Sequence, residues 1–242
     1  MKLTATAEDY ARAFERERLN TYPLVDAFEA RMGYAIDRGS LEEMARVLAC
    51  PVKRNPPCWQ HGRVIYSAVR RYAETAGDSP LFLDIGTAKG FSAMCLLLAG
   101  FGGRFAGSHR VVSVDVIDPY ERVRRNTVAE LDGPKTLAET LAPWLENERE
   151  PRITFLQSTG IEWLNAHHER LHVVFVDGKH SGPVVEKEAA LICARQEPGD
   201  LCIFDDVHLP EIRAVVKRLD DRYAIEYLDI LPNRGYAVAV KR

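Results

Sequence analysis

The stretch LFLDIGTAKGFSAM, residues 81–94, decides the fold class of this 242-residue chain. A short apolar run leads into Gly86, and a helical pattern begins just after Gly90. Glycine allows the backbone to adopt positive φ and leaves room for a ligand beside the start of a helix. The stretch therefore predicts a buried strand, a tight turn and a helix, which is the repeating unit of an α/β sheet.

The alternation of strand and helix continues toward the carboxyl end. Four more apolar patterns are each followed by a helical or polar segment: VVSVDV (111–116), ITFLQS (153–158), HVVFVD (172–177) and LCIFDD (201–206). Continuous apolar strands indicate a parallel sheet covered on both faces. The last two strand patterns, YAIEYLDI and YAVAVKR, are joined by LPNRG, which has hairpin length and turn residues. We expect an α/β fold with a Rossmann-like, seven-stranded, mostly parallel sheet closed by a C-terminal antiparallel hairpin.

The first part of the chain shows helical spacing and no convincing strand. The helical patterns cover Ala7–Arg18, Leu24–Met32, Leu41–Leu48 and Val64–Tyr72, with Ser40 as the expected N-cap of the third. We expect an N-terminal helical extension over residues 1–79, which caps the ligand site or mediates dimerisation, and an α/β domain over residues 80–242. Three residues before the last of these helices are candidates for lining a substrate pocket: Trp59, Gln60 and His61.

Composition narrows the range of partners and of cellular compartments. The net charge is -3 and the pI about 6.2, without the basic surplus of proteins that bind nucleic acid through its phosphates. The five cysteines show no CxxC spacing, which fits reduced thiols. The N-terminal segment lacks the apolar core of a signal peptide, and the longest apolar stretch is too short to cross a bilayer. We expect a cytoplasmic protein without a nucleic-acid or membrane partner.

Asp115 adds a second feature to the glycine turn. It lies near the end of the second predicted strand, where an acid can accept hydrogen bonds from ribose hydroxyls. Ala88 stands where a dinucleotide fingerprint has its middle glycine, which disfavours NAD. Together these features favour a nucleoside-containing cofactor, although a packing glycine and a solvated aspartate would produce the same pattern.

The segment from Asp84 to Gly90 resembles the first motif of class I S-adenosylmethionine-dependent methyltransferases, and the resemblance covers residues 80–242. It implies that two glycines border the methionine part of the cofactor, that Asp84 lies near its amino group and that Asp115 holds the ribose. The residues after the third strand would contact adenine. The implied cofactor-binding residues are Asp84, Gly86, Thr87, Ala88, Gly90, Asp115, Gln157 and Ser158.

Acidic residues end the fourth and fifth predicted strands. Asp177 follows one strand, and Asp205 and Asp206 follow the next. Carboxylates gathered at one rim repel one another unless a cation lies between them, and Mg²⁺ prefers oxygen ligands. Side chains alternate along a strand, so Asp205 and Asp206 converge only if the strand breaks there. The alternative is that Asp177 and Asp206 cap the following helices while Asp205 faces solvent.

The patterns Asp-Gly-x-His and Asp-Asp-Val-His resemble those of metal-dependent O-methyltransferases of the catechol, caffeoyl-CoA and macrolide-sugar types. The resemblance implies a divalent ion at Asp177, Asp205 and Asp206 that grips two substrate oxygens. Lys179 stands where macrolide-sugar relatives carry a second acid, and His180 stands where catechol-type relatives carry a lysine base. His180 is the expected general base, with Lys179 as the alternative; a histidine that only bonds to the helix start is the structural alternative.

These features together predict an enzyme, an S-adenosylmethionine-dependent methyltransferase assisted by Mg²⁺ or another divalent cation. The expected reaction is O-methylation of a small hydroxylated molecule. Two alternatives stay open, a metal-independent methyltransferase on another acceptor and a protein that binds S-adenosylmethionine without turnover. A homodimer is compatible with the sequence.

Overall fold

The computed structural model describes residues 5–52, 56–77, 79–102, 108–124, 126–145 and 152–242. In these ranges, four helices precede the first strand, in agreement with the sequence. They are α1 (Ala7–Arg18), α2 (Pro23–Met32), α3 (Arg38–Leu48) and α4 (Gln60–Tyr72).

The described strands form one seven-stranded sheet in the order β3-β2-β1-β4-β5-β7-β6. The strands are β1 (Leu81–Ile85), β2 (Arg110–Asp115), β3 (Ile153–Gln157), β4 (Val173–Val176), β5 (Leu201–Phe204), β6 (Tyr223–Leu231) and β7 (Arg234–Lys241). All neighbours are parallel except β7, which pairs antiparallel with both β5 and β6. The predicted fold class is therefore confirmed. The order reverses between β1 and β4, so a crevice opens where α/β sheets bind ligands.

In the described residues after β1, five α-helices are present: α5 (Phe91–Gly100), α6 (Leu137–Leu145), α7 (Gly160–Ala166), α8 (Gly182–Cys193) and α9 (Pro210–Lys217). Each face of the sheet has its own core. One face packs with α2 to α6, and the other packs with α7 to α9. The N-terminal helices thus share a core with the sheet through α4, in which Gly62 packs directly against the ring of Phe91 in α5. The domain boundary at residues 79 and 80 stays a prediction.

Two local expectations differ from the structure. The N-cap of α3 is Asp37, whose carboxylate accepts a hydrogen bond from the Ser40 amide at 2.8 Å, so the prediction of Ser40 as the cap was wrong by one turn. The hairpin strands start closer to each other than expected and leave only Pro232 and Asn233 in the turn.

Candidate functional site

The turn after β1 is shaped by contact with the end of β4. Gly86 has φ +103°, and a Cβ there would lie 2.1 Å from the carbonyl oxygen of Asp177. Ala88 and Gly90 also have positive φ, at +46° and +85°. A side chain at Gly86 is therefore excluded by both backbone geometry and space, which explains the glycine that the sequence singled out.

Asp115 joins the end of β2 to the glycine turn. Its carboxylate accepts hydrogen bonds from the amides of Ala88, at 2.8 Å, and Ile117, at 3.0 Å. Each carboxylate oxygen has a second lone pair, so the side chain can fix the turn and still accept a hydrogen bond from a ligand. Asp115, the residue predicted to bind the ribose, therefore also positions the turn after β1, which would hold the rest of the cofactor.

Asp84 lies behind the turn. It is fully buried and accepts a hydrogen bond from the Ser113 hydroxyl at 2.5 Å; Ser113 in turn bonds to the Thr87 hydroxyl at 2.6 Å. Burial raises the pKa of Asp84 to about 7. This chain of hydrogen bonds holds the turn against β2. Contact of Asp84 with a cofactor amino group stays a prediction, because its side chain does not line the cavities described next.

Two adjoining cavities open above this rim of the sheet. Cavity A has a volume of about 720 Å³ and is lined by the ends of β1 and β2 and the starts of α7 and α8. Cavity B has a volume of about 820 Å³ and lies between three prolines that precede α4 (Pro51, Pro56 and Pro57), the start of α5 and the β6–β7 turn. The residues common to both walls are Cys58, His61, Gly86, Ala88, Asp177, His180, Asp206 and Arg234. Volumes of this size fit small-molecule sites.

The fifth strand breaks where the sequence required it. β5 ends at Phe204, and Asp206 has φ +55°, a left-handed conformation that turns its side chain away from the strand alternation. Asp177, His180 and Asp206 each offer one ligand atom, and these atoms lie within 4.8 Å of one another. Asp205 is not part of this group; its carboxylate accepts a 2.6 Å hydrogen bond from the Asp206 amide.

The carboxylates at this rim repel one another, and this repulsion shifts their pKa values. Burial together with the charges of Asp205 and Asp206 raises the pKa of Asp177 well above its usual range. Burial and the charge of Asp206 raise the pKa of Asp205 to about 7. His180 donates to the Asp206 carboxylate through Nδ1, and this hydrogen bond raises the pKa of His180. Neither Asp177 nor Asp206 caps the next helix, because Ser181 and Leu209 occupy those N-cap positions.

Arg234 is a rim residue that sequence reasoning missed. Its Nη1 lies 3.9 Å from Oδ1 of Asp206, and His208 Nδ1 lies 3.7 Å from the same oxygen. β7 runs antiparallel beside β5, so its first residue reaches the rim where β5 ends. A prediction that the final strand pairs with β5 would have placed Arg234 at this rim.

His61 reaches the wall shared by the two cavities from outside the α/β domain predicted from sequence. It lies in the first turn of α4, with its ring 6.0 Å from that of Phe175 and 4.9 Å from that of Phe91, measured between centroids. Burial lowers the pKa of His61 to about 3, so the imidazole is neutral. Trp59 and Gln60 instead line a separate cavity of about 220 Å³.

Three other predicted residues differ in their accessibility to cavity A. Ser158 and Lys179 line it. Gln157 does not, because its side-chain amide donates to the carbonyl of Val116 at 3.2 Å.

Among the described helices, none is long and apolar enough to cross a membrane.

Comparison with known proteins places this geometry in a family. A family model described as "Methyltransferase domain" matches residues 83–207, just over half of the chain, from within β1 to just past the carboxylate rim. The chain belongs to this methyltransferase family. The expectation of a class I methyltransferase, and of a methyltransferase as the enzyme class, is thereby confirmed.

Solved structures similar to this methyltransferase share its fold. An O-methyltransferase from Bacillus cereus in complex with SAH aligns over 86% of this chain and 92% of its own, with 17% identity and a TM-score of 0.57. The O-methyltransferase TomG from Streptomyces achromogenes, involved in tomaymycin synthesis and solved with SAM, aligns over 86% and 91%, with 16% identity and a TM-score of 0.56. An rRNA methylase from Streptococcus thermophilus aligns over 74% and 95%, with 11% identity and a TM-score of 0.52.

Two of these structures are described as O-methyltransferases and one as an rRNA methylase, so the fold alone does not select the substrate of this methyltransferase. A search of curated proteins gave no significant match.

Proposed function

We propose that this methyltransferase binds S-adenosylmethionine in cavity A and, with a divalent ion at the rim, methylates a hydroxyl of a small molecule in cavity B. One observation carries the proposal. Asp177, His180 and Asp206 bring ligand atoms within 4.8 Å of one another on the wall that the two cavities share. An ion held there would lie between donor and acceptor.

The cofactor part of the proposal rests on the β1 turn and β2. Gly86 and Ala88 leave the backbone of the turn open to cavity A, and Asp115 projects from the neighbouring strand end with lone pairs to spare. S-adenosylmethionine carries a nucleoside, a carboxylate and a cationic sulfonium. A cationic group is favoured beside a rim whose carboxylates repel one another.

The donor set at the rim is compatible with a divalent cation. Two carboxylates and one imidazole provide oxygen and nitrogen ligands, which suits Mn²⁺ as well as Mg²⁺. Asp205 was expected as a third carboxylate ligand. Its hydrogen bond to the Asp206 amide gives it a supporting position, in which it orients the backbone of a ligand. When bound, such an ion lowers the pKa of an acceptor hydroxyl.

The chain's own residues would position the reactants and accept the proton. Lys179 lies on the wall of cavity A and is exposed, whereas His180 is tied to Asp206. If His180 serves as a ligand, the base is Lys179, the alternative that the sequence left open. The neutral ring of His61 and the side chain of Tyr236 form an apolar flank that excludes water from the reacting groups.

The test is direct binding followed by turnover. Calorimetry with SAH and with Mn²⁺ should show both ligands binding the wild type. Asp177→Asn should weaken Mn²⁺ binding by about tenfold or more while SAH still binds, because one ligand is lost. Asp221→Asn is the matched control, because Asp221 is an exposed acid that lines neither cavity. Unchanged Mn²⁺ affinity in Asp177→Asn would show that the metal site is drawn wrongly.

Turnover on a panel of catechols and polyols then separates the remaining possibilities. Loss of activity with EDTA and its recovery with Mn²⁺ support metal assistance. Arg234 favours a second candidate, because a fixed guanidinium near Asp206 already supplies positive charge at the rim. Turnover that survives EDTA but not Arg234→Met would identify a metal-independent methyltransferase. SAH binding without turnover on any acceptor would indicate a binding protein.

A further inference from the structure

Glu188 is a buried acid that the proposed function leaves unused. It lies in α8, is 2% exposed, and its Oε2 has no hydrogen-bond partner among the described residues. It nevertheless contributes to the wall of cavity A. An unpartnered buried carboxyl is costly, so such a group in a native protein calls for an explanation.

The position of Glu188 depends on a missing side chain. A Cβ on Gly160 would lie 2.4 Å from Oε1 of Glu188 and 2.8 Å from the side chain of Ile85. Gly160 therefore leaves the gap through which the carboxyl approaches the cavity. The surrounding wall is apolar, formed by side chains such as Ile85, Val114 and Val184. A planar base fits this part of the cavity, while Asp115 marks the polar part.

The residues expected to read the base have other partners. The Gln157 amide donates to the Val116 carbonyl, and the Ser158 hydroxyl donates to the Thr159 carbonyl at 3.0 Å. Gln157 does not line cavity A, and the Ser158 hydroxyl has used its single donor, so neither pairs with both a ring nitrogen and an exocyclic amine. Adenine presents such an edge at N7 and its exocyclic amine, an acceptor nitrogen beside an N–H donor, whereas the inosyl base presents two acceptors there, N7 and O6. A protonated carboxyl presents the complement, an O–H donor beside a carbonyl acceptor.

We propose that Glu188, as a neutral carboxylic acid, pairs with N7 and the exocyclic amine of the cofactor's adenine and so selects an adenosyl over an inosyl cofactor. The inference rests on the proposed binding of S-adenosylmethionine in cavity A. Burial raises the pKa of Glu188 to about 7, which keeps the acid protonated below neutral pH. Cys202 is the titratable group that its charge affects, and burial keeps that thiol protonated.

The test compares SAH with S-inosylhomocysteine, in which a carbonyl replaces the exocyclic amine. Glu188→Gln keeps one donor and one acceptor, so SAH affinity should stay within about threefold of wild type. Glu188→Met keeps length but loses both groups, so SAH affinity should fall by about tenfold while inosyl affinity stays unchanged. Glu186→Gln, an exposed change on the same helix, is the control.

Each outcome decides the inference. If the wild type binds no SAH, the proposed function and this inference both fail. If SAH binds but Glu188→Met keeps the wild-type preference for SAH over the inosyl analogue, only the inference fails.

If Glu188→Met does not fold, the pH dependence of the Gln variant decides. SAH affinity of the wild type should fall between about pH 6 and about pH 8.5 more steeply than that of Glu188→Gln. Burial also raises the pKa of Asp84 and of Asp205 to about 7 in both proteins, so the difference between the two slopes is the readout. Equal slopes would overturn the proposal.

Discussion

Gly86 offers the sharpest test of how the site is built. In Gly86→Ala, the new Cβ would lie 2.1 Å from the carbonyl oxygen of Asp177 and 2.6 Å from its carbonyl carbon. Both atoms belong to backbone at the end of a buried strand, so neither can rotate away. The new residue would also be held at φ +103°, where an L-residue is strained.

Two terms give the expected magnitude. The left-handed backbone conformation costs an alanine about 1–2 kcal/mol, and overpacking of a rigid contact adds about 1–3 kcal/mol. We therefore expect Gly86→Ala to lower the free energy of unfolding by about 2–5 kcal/mol, out of the roughly 5–15 kcal/mol typical of a domain.

The control is Gly199→Ala. Gly199 has φ +95°, but a Cβ there meets no atom within 4 Å. It isolates the conformational term, and we expect a loss of only about 1–2 kcal/mol. Urea denaturation followed by circular dichroism gives both free energies. If Gly86→Ala is no more destabilising than Gly199→Ala, the close contact between the β1 turn and the β4 end is not what requires glycine.

Three further changes test other parts of the structure by the same urea assay. Burial raises the pKa of Glu188 to about 7 in the folded protein, against 4.5 for the free group, so the folded state keeps this proton to higher pH. The free energy of unfolding should therefore fall by up to about 3 kcal/mol as pH rises from about 4.5 to about 7.5. Glu188→Gln should remove this decline, and an unaltered pH profile in the variant would contradict the prediction. Arg63→Met should cost about 1.5–3 kcal/mol, because the buried Glu29 carboxylate loses the guanidinium bonded to it at 3.1 Å and keeps its bond to Arg38. The double variant with Glu29→Leu should recover most of the loss, and additive losses would argue against the pair. Asp37→Ala should cost about 1 kcal/mol as the loss of an N-cap, and a larger loss in Ser40→Ala would restore the sequence-based assignment.

The sheet was predictable from sequence because its signals are local. Each strand is a short apolar run bounded by a turn, and LFLDIG also carried the glycine that the contact with Asp177 requires. Side chains alternate along a strand, so the sequence already required the fifth strand to end before Asp206 if its two carboxylates were to converge. In the structure β5 ends at Phe204, and Asp206 has a positive φ. The cap of α3 was missed because Asp37 and Ser40 both precede the helical pattern and both are good caps.

The composition of the site was harder to predict because it depends on contacts between distant segments. His61 comes from a helix before β1, Arg234 from the start of the last strand and Glu188 from the inner face of α8. His61 was a candidate for lining a pocket because of the loop before α4, but nothing in the local sequence of Arg234 or Glu188 distinguishes them from ordinary surface or core positions. The proposed role of His180 as a metal ligand and the supporting position of Asp205 likewise depend on which side chains bond to the carboxylate and the backbone of Asp206.

The strand order β5-β7-β6 has a consequence for the order in which the protein assembles during synthesis. The last strand of the chain does not add to the edge of the sheet but inserts between two strands made earlier. Until Arg234–Lys241 has left the ribosome, β5 presents an unpaired edge, which favours association with other chains. The acidic rim also lacks its neighbouring guanidinium until then. A nascent chain arrested before residue 234 should therefore contain most of the wall of cavity A yet depend on chaperones to stay unaggregated.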